Sequence, residues 1–342
     1  MFFRPLRCLA AASLFSTALA TAACAVPVAA DGEAQPDEAV ESAASRAAKV
    51  PGIKLVVTVD WEGDDLTDAN LRAMEDFRAA YPDVKIVQFL NAAYFTKPGA
   101  DPAAVTRSIR RALRTGDELG LHIHGWKRLF EASGVTFRSG PTFWGDTLTA
   151  ADCKSDCGHE VPISLYTAPE LERVRAFSVD TLSAHGLGHA TSFRAGGWLA
   201  GDTVRAALEE EGFAYDHSSV PPGFLANELR GEPLLDWVRG LWTGTTASMQ
   251  PYRLGTLTEI PDNGALADYV TSREMLTVVD GAIATLKKTP GADRVVSIGF
   301  HQETASDYLP RVAGALDGIA QRVASGKVAV RYVTSKEAAA AR

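Results

Sequence analysis

From residue 53 to residue 341, short apolar runs of strand length alternate with longer segments of helical pattern, and this constrains the fold more than any other feature. Strands are expected at 53–60, 84–90, 118–124, 190–194, 212–216, 255–260, 294–301 and 328–333. Helices are expected at 66–80, 102–115, 168–186, 201–211, 272–287, 304–324 and 335–341. Three helices announce their starts: Thr167/Glu170, Thr271/Glu274 and Thr334/Glu337 each place Thr three residues before Glu, the spacing of a capping box. Gly212 and Gly291 stand where helices should end. Regular alternation of this kind implies an α/β fold with a parallel sheet, and this many repeats predict closure into a (β/α) barrel of about seven strands. A doubly wound open sheet is the competing architecture. No glycine-rich phosphate loop and no internal repeat is present.

Composition narrows the partners. A net charge of −8 over 342 residues argues against nucleic acid and anionic membrane surfaces. At the start of the chain, Arg4 and Arg7 precede an uncharged stretch from Cys8 to Ala30, and Ala18-Leu19-Ala20 fits a small-residue cleavage site. Residues 1–30 therefore read as a signal peptide, with a membrane anchor as the alternative. Cys24 loosely fits a lipid-attachment site. Export to a periplasmic or secreted location is expected. Residues 31–51, rich in Ala, Glu, Asp and Ser, read as a flexible leader. The main domain is expected over 52–335, with 336–342 as a tail. In an exported protein Cys153 and Cys157 predict a local disulfide rather than a metal site.

Chemistry-bearing residues gather where the strands should end, and in a parallel barrel those ends open onto one face. The first run stops at Asp60-Trp61-Glu62-Gly63, the third at His122-Ile123-His124, the seventh at His301. Asp60 and Glu62 are two residues apart, as are His122 and His124, so each pair projects to one side of its strand. Two imidazoles and one carboxylate leave a coordination position open, as in catalytic zinc sites. The second carboxylate is then free as a base. Arg194 ends the fourth strand, placed to pair with Asp60 or to hold substrate. His301 is a candidate general acid. Trp61, Trp126 and Trp198, with Trp144 in a long loop, are candidate sugar-stacking platforms; the competing reading of each is core. His159, His185 and His189 read as surface residues. Two stretches, 126–166 and 217–254, break the alternation and read as long aromatic-rich loops.

Taken in order, these motifs resemble the polysaccharide deacetylase family (the NodB homology domain, family-four carbohydrate esterases) over about residues 52–335. Thr58-Val59-Asp60-Trp61-Glu62-Gly63 resembles its first motif, with a catalytic base and a metal-binding acid. Asp117 to His124 resembles the histidine motif. Ser192 to Trp198 is similar to the third, whose arginine contacts the base, and Phe213 to Ser219 to the strand that follows. Ile298-Gly299-Phe300-His301 resembles the last, with its catalytic histidine. Two departures stand out: Trp61 separates acids that are usually adjacent, and only Ile123 separates the histidines, leaving His122 the firmer ligand.

The resemblance implies a distorted (β/α) barrel and a metal-dependent hydrolase removing acetyl groups from N-acetylated sugars of a polysaccharide or oligosaccharide. It implies Glu62, His122 and His124 as ligands of a divalent metal, zinc being expected, with Asp60, Arg194 and His301 catalytic. A non-catalytic carbohydrate-binding relative and a metal-dependent hydrolase of another amide or an O-acetyl ester are the alternatives.

Overall fold

The computed structural model describes residues 52–209, 212–289 and 291–340. The expected signal peptide, lipid-attachment site and leader lie outside the described residues. In chain order the elements are β1 (Ile53–Asp60), α1 (Asp68–Ala80), β2 (Ile86–Leu90), α2 (Pro102–Ala112), β3 (Glu118–Ile123), α3 (Lys127–Ala132) and α4 (Ala168–Ala184). Then follow β4 (Ser192–Ala195), α5 (Asp202–Glu209), β5 (Tyr215–Asp216), α6 (Pro222–Leu225), α7 (Pro233–Leu241), β6 (Tyr252–Leu254) and β7 (Leu257–Glu259). The chain continues through α8 (Ser272–Lys288), β8 (Arg294–His301), α9 (Ala305–Ala324), β9 (Val330–Tyr332) and α10 (Ser335–Ala339).

The strands lie in the order β6-β7-β5-β4-β3-β2-β1-β8. Every neighbouring pair from β7 to β8 is parallel and β9 is parallel to β1, which makes eight parallel strands among the described residues: β1, β2, β3, β4, β5, β7, β8 and β9. β6 runs antiparallel on the outside of β7. The N-terminal half of β1 pairs with β9 and its C-terminal half with β2. The free edge of β8 is covered by the segment after β7: Gly264 N donates to Ser297 O, Gly299 N to Ala265 O and Ala267 N to Gly299 O. That irregular stretch closes the ring where a further regular strand would stand. The fold is therefore a distorted (β/α) barrel, and the open doubly wound sheet is excluded.

β1 is buried along its whole length, as expected of a strand covered on both faces. All three predicted capping boxes form, on α4, α8 and α10. The stretches read as long loops carry three helices. α7 begins with Pro233 at its first turn and buries Leu234, Leu235 and Val238. The helix expected over 335–341 forms as α10, where Ala338 is fully buried beside Val56 and Val87 and Glu337 pairs with Lys85. Cys153 and Cys157 are disulfide-bonded. Among the described residues no helix is long and apolar enough to cross a membrane.

One buried pair makes folding stability depend on pH. The β5–β7 register sets Asp216 beside Glu259, both fully buried. Burial pushes the Asp216 carboxyl up to about 6, against hydrogen bonds from Ser218 and Glu259 that lower it; burial and then Asp216 push Glu259 well above its usual range. A carboxyl whose folded pKa is raised stabilises the fold fully below its unfolded pKa, and this is lost as pH rises through the folded value. For Asp216, from 3.8 to about 6, that is about 3 kcal/mol. Asp216→Asn should therefore gain on the wild type by about that amount between pH 4 and pH 8, read from urea midpoints. A difference that stays constant with pH would refute the assignment.

Candidate active site

Register, more than proximity in sequence, assembles the site. β1 pairs with β8 so that Asp60 stands opposite His301, and β3 pairs with β4 so that His122 stands opposite Arg194. Four strands thus deliver four functional side chains to the barrel mouth. Above them opens a cavity of about 480 Å³. Asp60, Glu62, His122, His124, His159 and His301 line its floor; Phe143, Trp144, Trp198, Leu234 and Tyr269 form walls.

Arg194 is fully buried. It donates from Nη1 to Asp60 Oδ1 at 2.8 Å and to Thr58 Oγ1 at 3.0 Å, and from Nε to His217 O at 3.0 Å. Its Nη2 lies 3.6 Å from Asp262. Burial disfavours the guanidinium, but Asp262 and Asp60 outweigh this and keep it charged. Burial raises the carboxyl of Asp262, and Arg194 only partly offsets it.

Glu62 lies at the centre of the imidazoles. Its Oε2 is 3.0 Å from His124 Nε2 and in close contact with His159 Nε2; its Oε1 is 3.6 Å from His122 Nε2 and 3.1 Å from His301 Nε2. Burial raises its carboxyl, but His124, His301 and His159 hold it well below the usual range. His122 Nδ1 donates to Arg194 O at 2.8 Å, and His124 Nδ1 to His159 O at 2.6 Å. A carbonyl partner fixes each Nδ1 as the protonated nitrogen, so in the neutral ring Nε2 carries the lone pair. Both Nε2 atoms are buried and make no hydrogen bond.

That arrangement fits a divalent cation. The donor atoms of Glu62, His124 and His159 lie within 4.8 Å of one another, and those of Asp60, Glu62 and His301 form a second such group. The first is the better ligand set. His301 is engaged at Nδ1, 2.9 Å from Asp268; burial disfavours its charge, but Asp268 and then Glu62 raise the imidazole to about 10, and an imidazolium has no lone pair to give. Asp60 is committed to Arg194. Burial, and then His124, depress His159 below its ordinary value, which favours the neutral ring a metal needs.

His159 corrects the surface reading made of it. It arrives on the loop between α3 and α4, stapled by the disulfide and by Lys127 N donating to Cys157 O at 2.8 Å. The loop passes very close to the end of β3: a Cβ on Gly125 would stand 2.4 Å from Val161 O, and one on Gly158 2.5 Å from Gly125 O. Gly196 is needed for a similar reason, since a Cβ there would meet His124 ring atoms at 2.7 Å. His159 then stacks on His124 with centroids 4.0 Å apart. His124, the less firm ligand by motif spacing, stands nearer Glu62 than His122 does.

The tryptophans divide. Trp61 is fully buried and donates to Gln88 Oε1, so it is core and offers no stacking face. Trp126 is also buried; its indole donates to Glu62 O at 2.8 Å and Lys97 covers its ring. Both are corrected from substrate contact, Trp61 to core and Trp126 to support of the acidic loop. Trp198 lines the cavity, with a left-handed backbone (φ 59°) unusual for a bulky residue. It is held by its own indole to Asp262 Oδ2 and by Trp242 Nε1 donating to its carbonyl. Trp144, 52% exposed, stands at the rim. Asp268 was not identified from sequence, because it lies in the irregular stretch where no strand pattern marks it.

No protein-family model and no curated protein matches the chain. Among solved structures it is similar to an allantoinase (13% identity, 84% of this chain and 88% of that one, TM-score 0.45). It is also similar to the carbohydrate-esterase domain of a multidomain xylanase from the hindgut metagenome of Trinervitermes trinervoides (12%, 84% and 89%, TM-score 0.39). A family 4 carbohydrate esterase from Streptomyces lividans is a third (10%, 79% and 91%, TM-score 0.37). The likeness is one of fold. The functional reading rests on the side chains.

Proposed function

We propose that the protein is a metal-dependent hydrolase that removes acetyl groups from N-acetylated sugars of a polysaccharide, exported and working outside the cytoplasm. The observation that carries this is the pair of buried Nε2 atoms of His122 and His124, which make no hydrogen bond and converge on the Glu62 carboxylate, beside an Asp60 held by Arg194. Glu62, His122, His124 and His159 would hold the cation. A divalent ion on this nitrogen-and-carboxylate set, zinc by its donor chemistry, supplies Lewis acidity toward an acyl carbonyl and toward water.

The chain's own groups supply the proton transfers. Asp60 lines the cavity with one oxygen anchored by Arg194, so it accepts a proton from the attacking water while Arg194 keeps it aligned. His301 stands beside Asp60 across the β1–β8 pair and delivers a proton to the departing nitrogen. Asp268 at 2.9 Å orients the imidazole and sustains its charge. Trp198 and Tyr269 narrow the cavity, and Trp144 offers a sugar an exposed ring face at its rim.

Chelation tests the reading. Purified protein should contain about one equivalent of metal, release acetate from N-acetylated glycan, lose that activity on chelation and regain it with added zinc. Activity that survives complete metal removal would exclude the metal role. Acetate released only from O-acetylated glycans would replace the amide by an ester. Sugar binding with no acetate from either would leave a binding protein.

A further inference from the structure

Resting on the metal-site reading above, we propose that Glu303 is a positioning residue: its carboxylate fixes the backbone that carries Glu62 and thereby sets the affinity of the site for a divalent cation. Residues 62–64 have just left β1, so their N–H groups have no neighbouring strand to pair with, and on the buried residues Glu62 and Gly63 such donors need partners. Glu303, which follows β8, takes all three. Its Oε2 accepts from Glu62 N at 3.0 Å, and its Oε1 from Gly63 N at 3.1 Å and Asp64 N at 3.2 Å. The Tyr94 hydroxyl donates to the same Oε1 and so orients the carboxylate.

The other side of the peptide chain is held equally firmly. Glu62 O accepts from Trp126 Nε1 at 2.8 Å and from Asn91 Nδ2 at 3.0 Å. The turn needs glycine: Gly63 has φ +86°, and a Cβ there would meet Asn91 and Ala93 at 2.9 Å. Glu62 therefore hangs from a peptide pinned on both faces, and Glu303 is the acidic pin. The same carboxylate ties the segment after β8, the strand that ends at His301, to the loop after β1, which carries Glu62. A group that orients a ligand without touching the metal typically changes affinity 10–100-fold when removed.

Zinc affinity, measured by competition with a chromophoric chelator, tests this, with the urea midpoint of the metal-free protein measured alongside. Glu303→Ala should bind zinc about 10–100-fold more weakly than wild type. Glu303→Gln keeps one acceptor oxygen and should fall between them. Tyr94→Phe frees the carboxylate, removing the hydroxyl's own contact with the Gly63 backbone while all three Glu303 acceptor bonds stay, and should weaken binding less than Glu303→Ala. If Glu303→Ala does not fold, Glu303→Gln and Tyr94→Phe carry the measurement, both weaker than wild type. Variants that lose metal-free stability but bind zinc as wild type does would overturn the proposal and leave Glu303 merely structural. Wild-type protein that binds no zinc would overturn the metal-site reading itself, a separate result.

Discussion

Replacing Asp60 by asparagine is expected to lower turnover roughly 10²–10⁴-fold while leaving metal content unchanged. Asparagine has the same shape, and its oxygen can still accept from Arg194 Nη1, which now donates to Asp60 Oδ1 at 2.8 Å. Its amide nitrogen then faces the cavity and cannot take a proton. Metal content should hold because the better ligand set is built from Glu62 and the imidazoles. Steady-state acetate release with metal analysis of the same samples checks both halves. Wild-type turnover in the variant would remove Asp60 as the base. Loss of metal would instead make Asp60 a ligand and favour the group of Asp60, Glu62 and His301.

Replacing Arg194 by methionine is expected to destabilise the fold by about 3–5 kcal/mol, the cost of leaving buried charges without their partner. Arg194 is fully buried, bonded to Asp60, Thr58 and His217 O, and 3.6 Å from Asp262. The change strands Asp60 and Asp262 in the interior. Burial already raises the Asp262 carboxyl with Arg194 present, and its removal drives that further in the same direction. The variant should therefore recover part of its stability at low pH, where the stranded carboxyls take up protons. Lysine should rescue poorly, because it has no planar fork to reach three acceptors at once. Urea midpoints at pH 5 and pH 8 decide the matter. A methionine variant within about 1 kcal/mol of wild type at both would show that this network adds little to stability.

Much of the barrel was readable because its causes are local. The apolar runs of β1 and β8 are long and end in polar residues, and the strands span 53–60 and 294–301 as expected. The capping boxes at Thr167, Thr271 and Thr334 set helix starts through side chains only three residues apart. What was harder to read depends on distant contacts. β5 spans only Tyr215–Asp216, shorter than the run expected over 212–216. Trp61 and Trp126 looked like stacking platforms from their neighbours in the motifs, yet one fills the core and the other holds the Glu62 carbonyl.

The sequence by itself determined which residue types stand at the strand ends: Asp60 and Glu62, His122 and His124, Arg194, and His301. Period-two alternation and strand length follow from the chain's own stereochemistry, so those placements needed no partner. Tertiary structure alone decided that His159 joins Glu62 and His124, that Asp268 backs His301, and that Glu303 holds the loop after β1. Each of these comes from an irregular segment, where no period links a residue to a direction in space and only packing against the finished barrel fixes where its side chain points.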